Sequence, residues 1–189
     1  MGKIRLYYDN ILNSPKNEIM LIKVNCEGTV LSDSIMDQIS EDYPLVFNRY
    51  RKICKKYEDE HTALLGYAQL VEQNYRQFIN IFGQGRYHKN KKDSVYMSSY
   101  PFFIFALRYI VDNYINMDKL HTNKKGKVTF AVPWLFGCSR GGMDFMVFYK
   151  ILANSIGDDC NIHFYCHKKR NLPTEKELEM YFENLIIKY

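Results

Sequence analysis

The chain has 189 residues, 47% of them hydrophobic, enough for one substantial α/β core and short for two full domains. Its net charge of +5 is a mild surplus, and a pI of 8.8 lies below the range of a dedicated nucleic-acid binder. The five cysteines lack framework spacing and no apolar run reaches the roughly 20 residues that cross a bilayer, so a soluble, cytoplasmic protein in a reducing compartment is expected.

Ile4 to Tyr8 reads as a short strand, and Asp9 to Asn17, with Asn10, Asn13, Ser14 and Pro15, as a turn-rich loop. Ile19 to Val24, IMLIKV, is a nearly continuous apolar run of the kind a central strand shows when both its faces are buried. After a loop from Asn25 to Asp33, apolar residues from Ile35 to Cys54 predict one or two helices broken near Pro44, whose missing N–H interrupts the ladder. Leu64 to Val71 and Phe78 to Phe82 predict strands around a polar turn, Glu72 to Arg76. Gly83 to Asp93 is a basic, glycine-bearing loop, and Tyr96 to Tyr114 a long helix with Pro101 in its first turns.

Val128 to Val132 is a further strand, broken at Pro133 into a loop that holds Gly137, Gly141 and Gly142. A helix over Asp144 to Ile156 and a strand over Ile162 to Cys166 follow. Thr174 and Glu177 form a capping box that predicts a helix to the C-terminus, about 174–189. The alternation gives a single α/β domain, 1–189, with its sheet between helices.

Chemistry concentrates in the loops that follow apolar strands. A strand, a glycine-rich loop and a helix start together favour an anion, although a plain strand-to-helix turn has the same pattern. Aromatic residues reach 15%, with 16 Tyr and 12 Phe, so Tyr87, Phe136 and Phe145 are candidates to line a cleft as well as to fill the core. Cys138, near a helix start, is a candidate low-pKa thiol without a sequence-local His. Cys160, His163, Cys166 and His167 have zinc-like residue types but fall on opposite faces of a strand, so no metal and no cofactor is expected. The lysine-rich runs Arg49 to Lys56, Lys89 to Lys92, Asn123 to Lys127 and His167 to Arg170 read as solvated faces.

Several pieces, in order, resemble the macro domain family, which binds ADP-ribose and related nucleotides. They are VNCEG at Val24 to Gly28, the Tyr43-Pro44 pair, LLGYAQLV at Leu64 to Val71, INIFGQGRY at Ile79 to Tyr87, and VPWLFGCSRGGMDF at Val132 to Phe145. The resemblance covers about residues 1–167 and looks nearest to the branch of ADP-ribose 1''-phosphate phosphatases and their phage and bacterial relatives. It implies a three-layer α/β/α fold with a mixed central sheet and an added C-terminal helix.

The resemblance also implies roles for the loops. Asp9, Asn10 and Ile11 would meet the adenine, with Asn10 where an acidic residue is usual. Asn25, Gly28, Ser32, Asp33, Ser34 and Ile35 would wrap the distal ribose and diphosphate. Gly137, Cys138, Ser139, Arg140, Gly141 and Gly142, flanked by Phe136 and Phe145, would form the opposite wall. The turn over Ser32 to Ser34 departs from the family's glycines, so either Asp33 turns to solvent or the ligand differs there. Gly28 stands where one hydrolase branch has a second asparagine, and Lys89, Lys91 and Lys92 lie near a loop where another branch uses a lysine.

For catalysis the resemblance leaves Asn25, positioning the ribose, and Asp144, assisting water or capping a helix. The implied functions are hydrolysis of a group on the distal ribose, of ADP-ribose 1''-phosphate phosphatase or ADP-ribosyl hydrolase type, or non-catalytic sensing or sequestering of an ADP-ribose-derived nucleotide. An ADP-ribose-type nucleotide is the expected partner, with neither membrane nor nucleic acid.

Overall fold

A computed structural model describes residues 3–30, 32, 34–85, 99–134, 136, 138, 143–156, 160–167 and 186–188. Strand β2, Ile19–Asn25, has Met20 and Ile22 on one face and Ile19 and Leu21 on the other, all buried, as its unbroken apolar run requires. Its neighbours complete a seven-stranded sheet in the order β3-β4-β2-β5-β6-β1-β7. These are β1 Ile4–Tyr7, β3 Ala68–Gln73, β4 Arg76–Gln84, β5 Thr129–Pro133, β6 Asn161–Tyr165 and β7 Ile186–Lys188. Among the described residues only the β3–β4 hairpin is antiparallel, so the sheet is mixed.

Strand parity sorts the core into two clusters. Ile19, Leu21, Ile79, Ile81, Phe130 and Val132 pack on helices α3, Tyr100–Ile110, and α4, Phe145–Ile156. Met20, Ile22, Phe78 and Phe82 pack on helices α1, Ile35–Asp42, and α2, Pro44–Lys56. The result is the three-layer α/β/α architecture. Pro44 opens α2, where its absent N–H costs nothing and its ring forces the break from α1. Helix α3 runs on into a π-helical turn, Val111–Ile115, closed by Asn116 N–H donating to the Val111 carbonyl at 2.9 Å.

Two sequence expectations need correction. Leu64 belongs to a 3-10 turn, His61–Leu64, and the strand begins only at Ala68, because Gly66 at φ +83° bends the chain between them. The C-terminal helix does not reach residue 189: Ile186–Lys188 is an edge strand paired in parallel with β1. Pairing satisfies the outer edge of β1, a long-range gain that a local helical pattern does not contain. The rest of that expected helix, 174–185, lies outside the described residues.

The β3–β4 hairpin turns on Asn74 and Tyr75, with φ of 54° and 60°, between the paired residues Gln73 and Arg76. A two-residue turn with both φ positive favours glycine second, and Tyr75 is exposed. Tyr75→Gly is therefore expected to stabilise the protein by about 1 kcal/mol in urea unfolding.

Candidate functional site

Strands β2 and β5 are neighbours, yet their ladder holds only the pairs Ile19 with Phe130 and Met20 with Ala131. Beyond it β2 pairs with β4 as far as Asn25 and Gln84, and β5 with β6 as far as Pro133 and Tyr165. The chain leaves β2 towards α1 and α2 on one face and leaves β5 towards α4 on the other. A parallel sheet whose connections part in this way has a crevice at the carboxyl ends of the two strands, the usual ligand position in such folds.

The expected site residues that are described lie in or beside the loops after β1, β2 and β5, and many are committed to their own loops. Asp9 Oδ1 accepts from Asn10 N–H at 2.6 Å and from Asn13 Nδ2 at 2.8 Å. Asn10 caps the turn Ile11–Asn13 through Leu12 N–H at 3.1 Å and donates to Gln38 Oε1 at 3.0 Å. One lone pair of its carbonyl remains for a donor. Ile11 is buried in the core beneath.

Asn25 closes the second loop. Its Oδ1 accepts from Glu27 N–H, Thr29 N–H and the Tyr50 hydroxyl at 3.0, 3.2 and 3.1 Å, and its Nδ2 donates to the Thr29 carbonyl at 2.6 Å. At Gly28, φ is +75°, where a side chain is strained, and a Cβ would stand a tight 3.2 Å from Cys54 Cβ. Cys26 N–H donates to the carbonyls of Gln84 and Gly85 at 2.9 and 3.0 Å and ties this loop to the end of β4. Ser34 Oγ caps α1 by accepting from Asp37 N–H at 3.1 Å, Ser32 is exposed and Ile35 half-buried.

On the opposite wall Phe136 is a core residue, stacked on Phe148 at 5.2 Å and close to Phe103 at 5.8 Å. Phe145 is half-buried and packs on Trp134 at 4.3 Å between ring centroids. Asp144 is exposed, and its Oδ1 caps α4 by accepting from Val147 N–H at 3.0 Å while its own N–H donates to Tyr100 Oη at 2.6 Å. Both α1 and α4 thus start at the crevice, and their partial positive ends favour an anion there. Asp33, Gly137, Ser139, Arg140, Gly141, Gly142, Tyr87, Lys89, Lys91 and Lys92 lie outside the described residues.

Cys138 does not have the environment of a low-pKa thiol. Burial pushes Cys138 up to about 12, which the nearby Lys23 only partly offsets and Asp144 reinforces. Cys26 and Cys54 are also raised to about 12, chiefly by burial. All three pack against the core, and burial disfavours their thiolate forms.

Lys23 was missed in the sequence, where one lysine in IMLIKV looks incidental. It lies past the end of the β2–β5 ladder, on the same face of β2 as Ile19 and Leu21. Its stem runs over Gly83, where an added Cβ would be 3.5 Å from Lys23 Cγ. Burial lowers the amine to about 8, against an opposing effect from Cys138. A cation within a central strand was the available signal.

No protein-family profile and no curated protein matches the sequence. Solved structures do match. The macrodomain of Mycobacterium tuberculosis DarG is 21% identical over 87% of this chain and 98% of its own, with a TM-score of 0.66. That of Thermus aquaticus DarG is 16% identical over 87% and 99%, at 0.64. A macrodomain protein from Streptomyces coelicolor is 16% identical over 88% and 100%, at 0.58. The chain therefore has the macrodomain fold. Among the described residues, no helix is long and apolar enough to cross a membrane.

Asp144→Ala is expected to lower stability by about 1 kcal/mol in chemical denaturation, and Asp144→Asn to keep the cap and most of that stability. For Lys23, the folded amine loses its proton near pH 8 whereas the unfolded one holds it to about 10.5. The unfolded state binds more protons between these values, so stability rises with pH across the window. In Lys23→Met that part of the rise should vanish from unfolding curves taken at pH 8 to 10.5.

Proposed function

We propose that this chain binds ADP-ribose or an ADP-ribose-containing nucleotide in the crevice between β2 and β5. One observation carries the reading: in a macrodomain fold, the two strands stop pairing where the capped N-termini of α1 and α4 begin. The diphosphate lies against those helix starts and the distal ribose over the loop that Asn25 closes. Adenine sits by Asn10, whose carbonyl retains a lone pair for the exocyclic amine. Lys23, beneath, supplies a cation whose charge the ligand itself restores.

Binding is the primary role in this reading, because Asn25 holds its loop and Asp144 its helix. A second reading, removal of a terminal phosphate or linked group from the distal ribose, is favoured by the exposure of Asp144 at the crevice rim. There its carboxylate would orient or deprotonate water.

Calorimetry with ADP-ribose tests binding, and no heat at high micromolar ligand would sink it. An anion beside Lys23 raises its depressed pKa, so binding near pH 8 should take up a proton, seen as a buffer-dependent enthalpy that Lys23→Met removes. With ADP-ribose 1''-phosphate, phosphate release by the wild type that Asp144→Asn abolishes identifies an enzyme. Tight binding without release identifies a sensor.

A further inference from the structure

A cavity of about 700 Å3 lies along β1 and β6, from Lys3 and Asn161 where they begin to Tyr7 and His163. Its wall takes residues from five separate segments: β1, the residues before β2, the turn before β5, the start of β5, and β6. Five cations line it, Lys3, Arg5, Lys124, Lys125 and Lys127. None has an ion-pair partner among the described residues.

The one carboxylate lining the cavity, Glu18, is already engaged. Its Oε1 stands 2.7 Å from His163 Nδ1, and its Oε2 accepts from the Tyr165 hydroxyl at 2.8 Å. Arg5 is held in place but not satisfied: Nη1 reaches only the Tyr7 hydroxyl, at 3.4 Å, while Nε is buried with no hydrogen-bond partner. A buried guanidinium N–H without an acceptor is costly, and Arg5 lines the cavity with that cost unrelieved.

The lysine-bearing turn is pinned to the same wall. Asn123 Oδ1 accepts from the backbone N–H groups of Lys125 and Lys127 at 2.9 and 3.2 Å, and Gly126 turns the chain at φ +72°. Asn123 Nδ2 and Asn161 Nδ2 both donate to Thr129 Oγ1, at 3.4 and 3.1 Å. Asn161 Oδ1 in turn accepts from Lys3 N–H at 3.0 Å. One polar network therefore places lysines from two segments around one opening.

We propose that this cavity is a second anion site, which takes a small polyphosphate of the pyrophosphate or nucleoside-polyphosphate class. A single phosphate would leave most of the volume empty, and five unpaired cations call for several negative charges. Tyr7 lines the cavity with its ring stacked on Tyr165 at 5.0 Å and 10°, a rigid edge against which a base can lie. Its lining shares no residue with those that frame the crevice.

Calorimetry with pyrophosphate, and in parallel with ADP, tests the proposal. Binding that weakens with added salt is expected, with about tenfold loss in Arg5→Gln and a comparable loss in Lys125→Gln/Lys127→Gln, whose exposed turn leaves the core untouched. Tighter binding of ADP would mark the nucleotide as the occupant, equal or weaker binding the polyphosphate alone. Lys150→Gln, an exposed lysine on α4, should bind as the wild type does. No heat at millimolar pyrophosphate, equal loss in Lys150→Gln, or no loss in either cavity variant overturns the proposal. Displacement of pyrophosphate by saturating ADP-ribose also overturns it, by assigning the anion to the crevice. Because pyrophosphate is titrated alone, a failure of ADP-ribose binding leaves this test intact.

Discussion

The short ladder between β2 and β5 is the constraint on which this molecule is organised. Two residue pairs join the halves of the sheet, and then each strand continues with its outer neighbour alone. The N–H and C=O groups facing the gap must find partners other than each other, so loop backbone, helix starts and ligand become the natural occupants. From this follow the crevice, the placement of α1 and α4 at its rim, and the position of Lys23 past the last pair. If the ladder ran on, these groups would pair with one another and the crevice would close.

Much of this architecture was legible because burial imposes period two on strands and proline imposes breaks. IMLIKV announced a strand covered on both faces, and Tyr43-Pro44 announced the boundary between α1 and α2. Where long-range pairing outweighs local pattern, the sequence misled. Ile186 fits the spacing of an apolar helical face, but backbone pairing with β1 draws it into a strand. The role of Lys23 was hidden for a related reason. Its meaning comes from the end of a ladder and from Gly83 on the adjacent strand, neither of which is local in sequence.

For the site residues, position in the chain was easier to read from sequence than task. Asn25 ends β2, Ser34 caps α1 and Asp144 caps α4. Each, however, makes hydrogen bonds that its own loop or helix needs. Sequence spacing identifies a polar residue after a strand; it does not tell whether the side chain turns inward to hold the loop or outward to meet a ligand. Phe136 shows the same ambiguity for an aromatic residue, resolved in favour of the core by its contacts with Phe103 and Phe148.

The crevice and the cavity also manage charge in opposite ways. At the crevice, side-chain oxygens cap helices and loops, and the cation beneath them is held well below its usual pKa by burial. An anionic ligand there would favour the charged form of Lys23. At the cavity Glu18 is fully engaged, while Arg5 retains an unsatisfied N–H beside several lysines. An anion there adds partners without displacing any. The first arrangement makes affinity depend on pH near the lysine's shifted pKa, whereas the second makes it depend on salt. On the two proposals, the same class of ligand charge would be read by two different physical means on one continuous sheet.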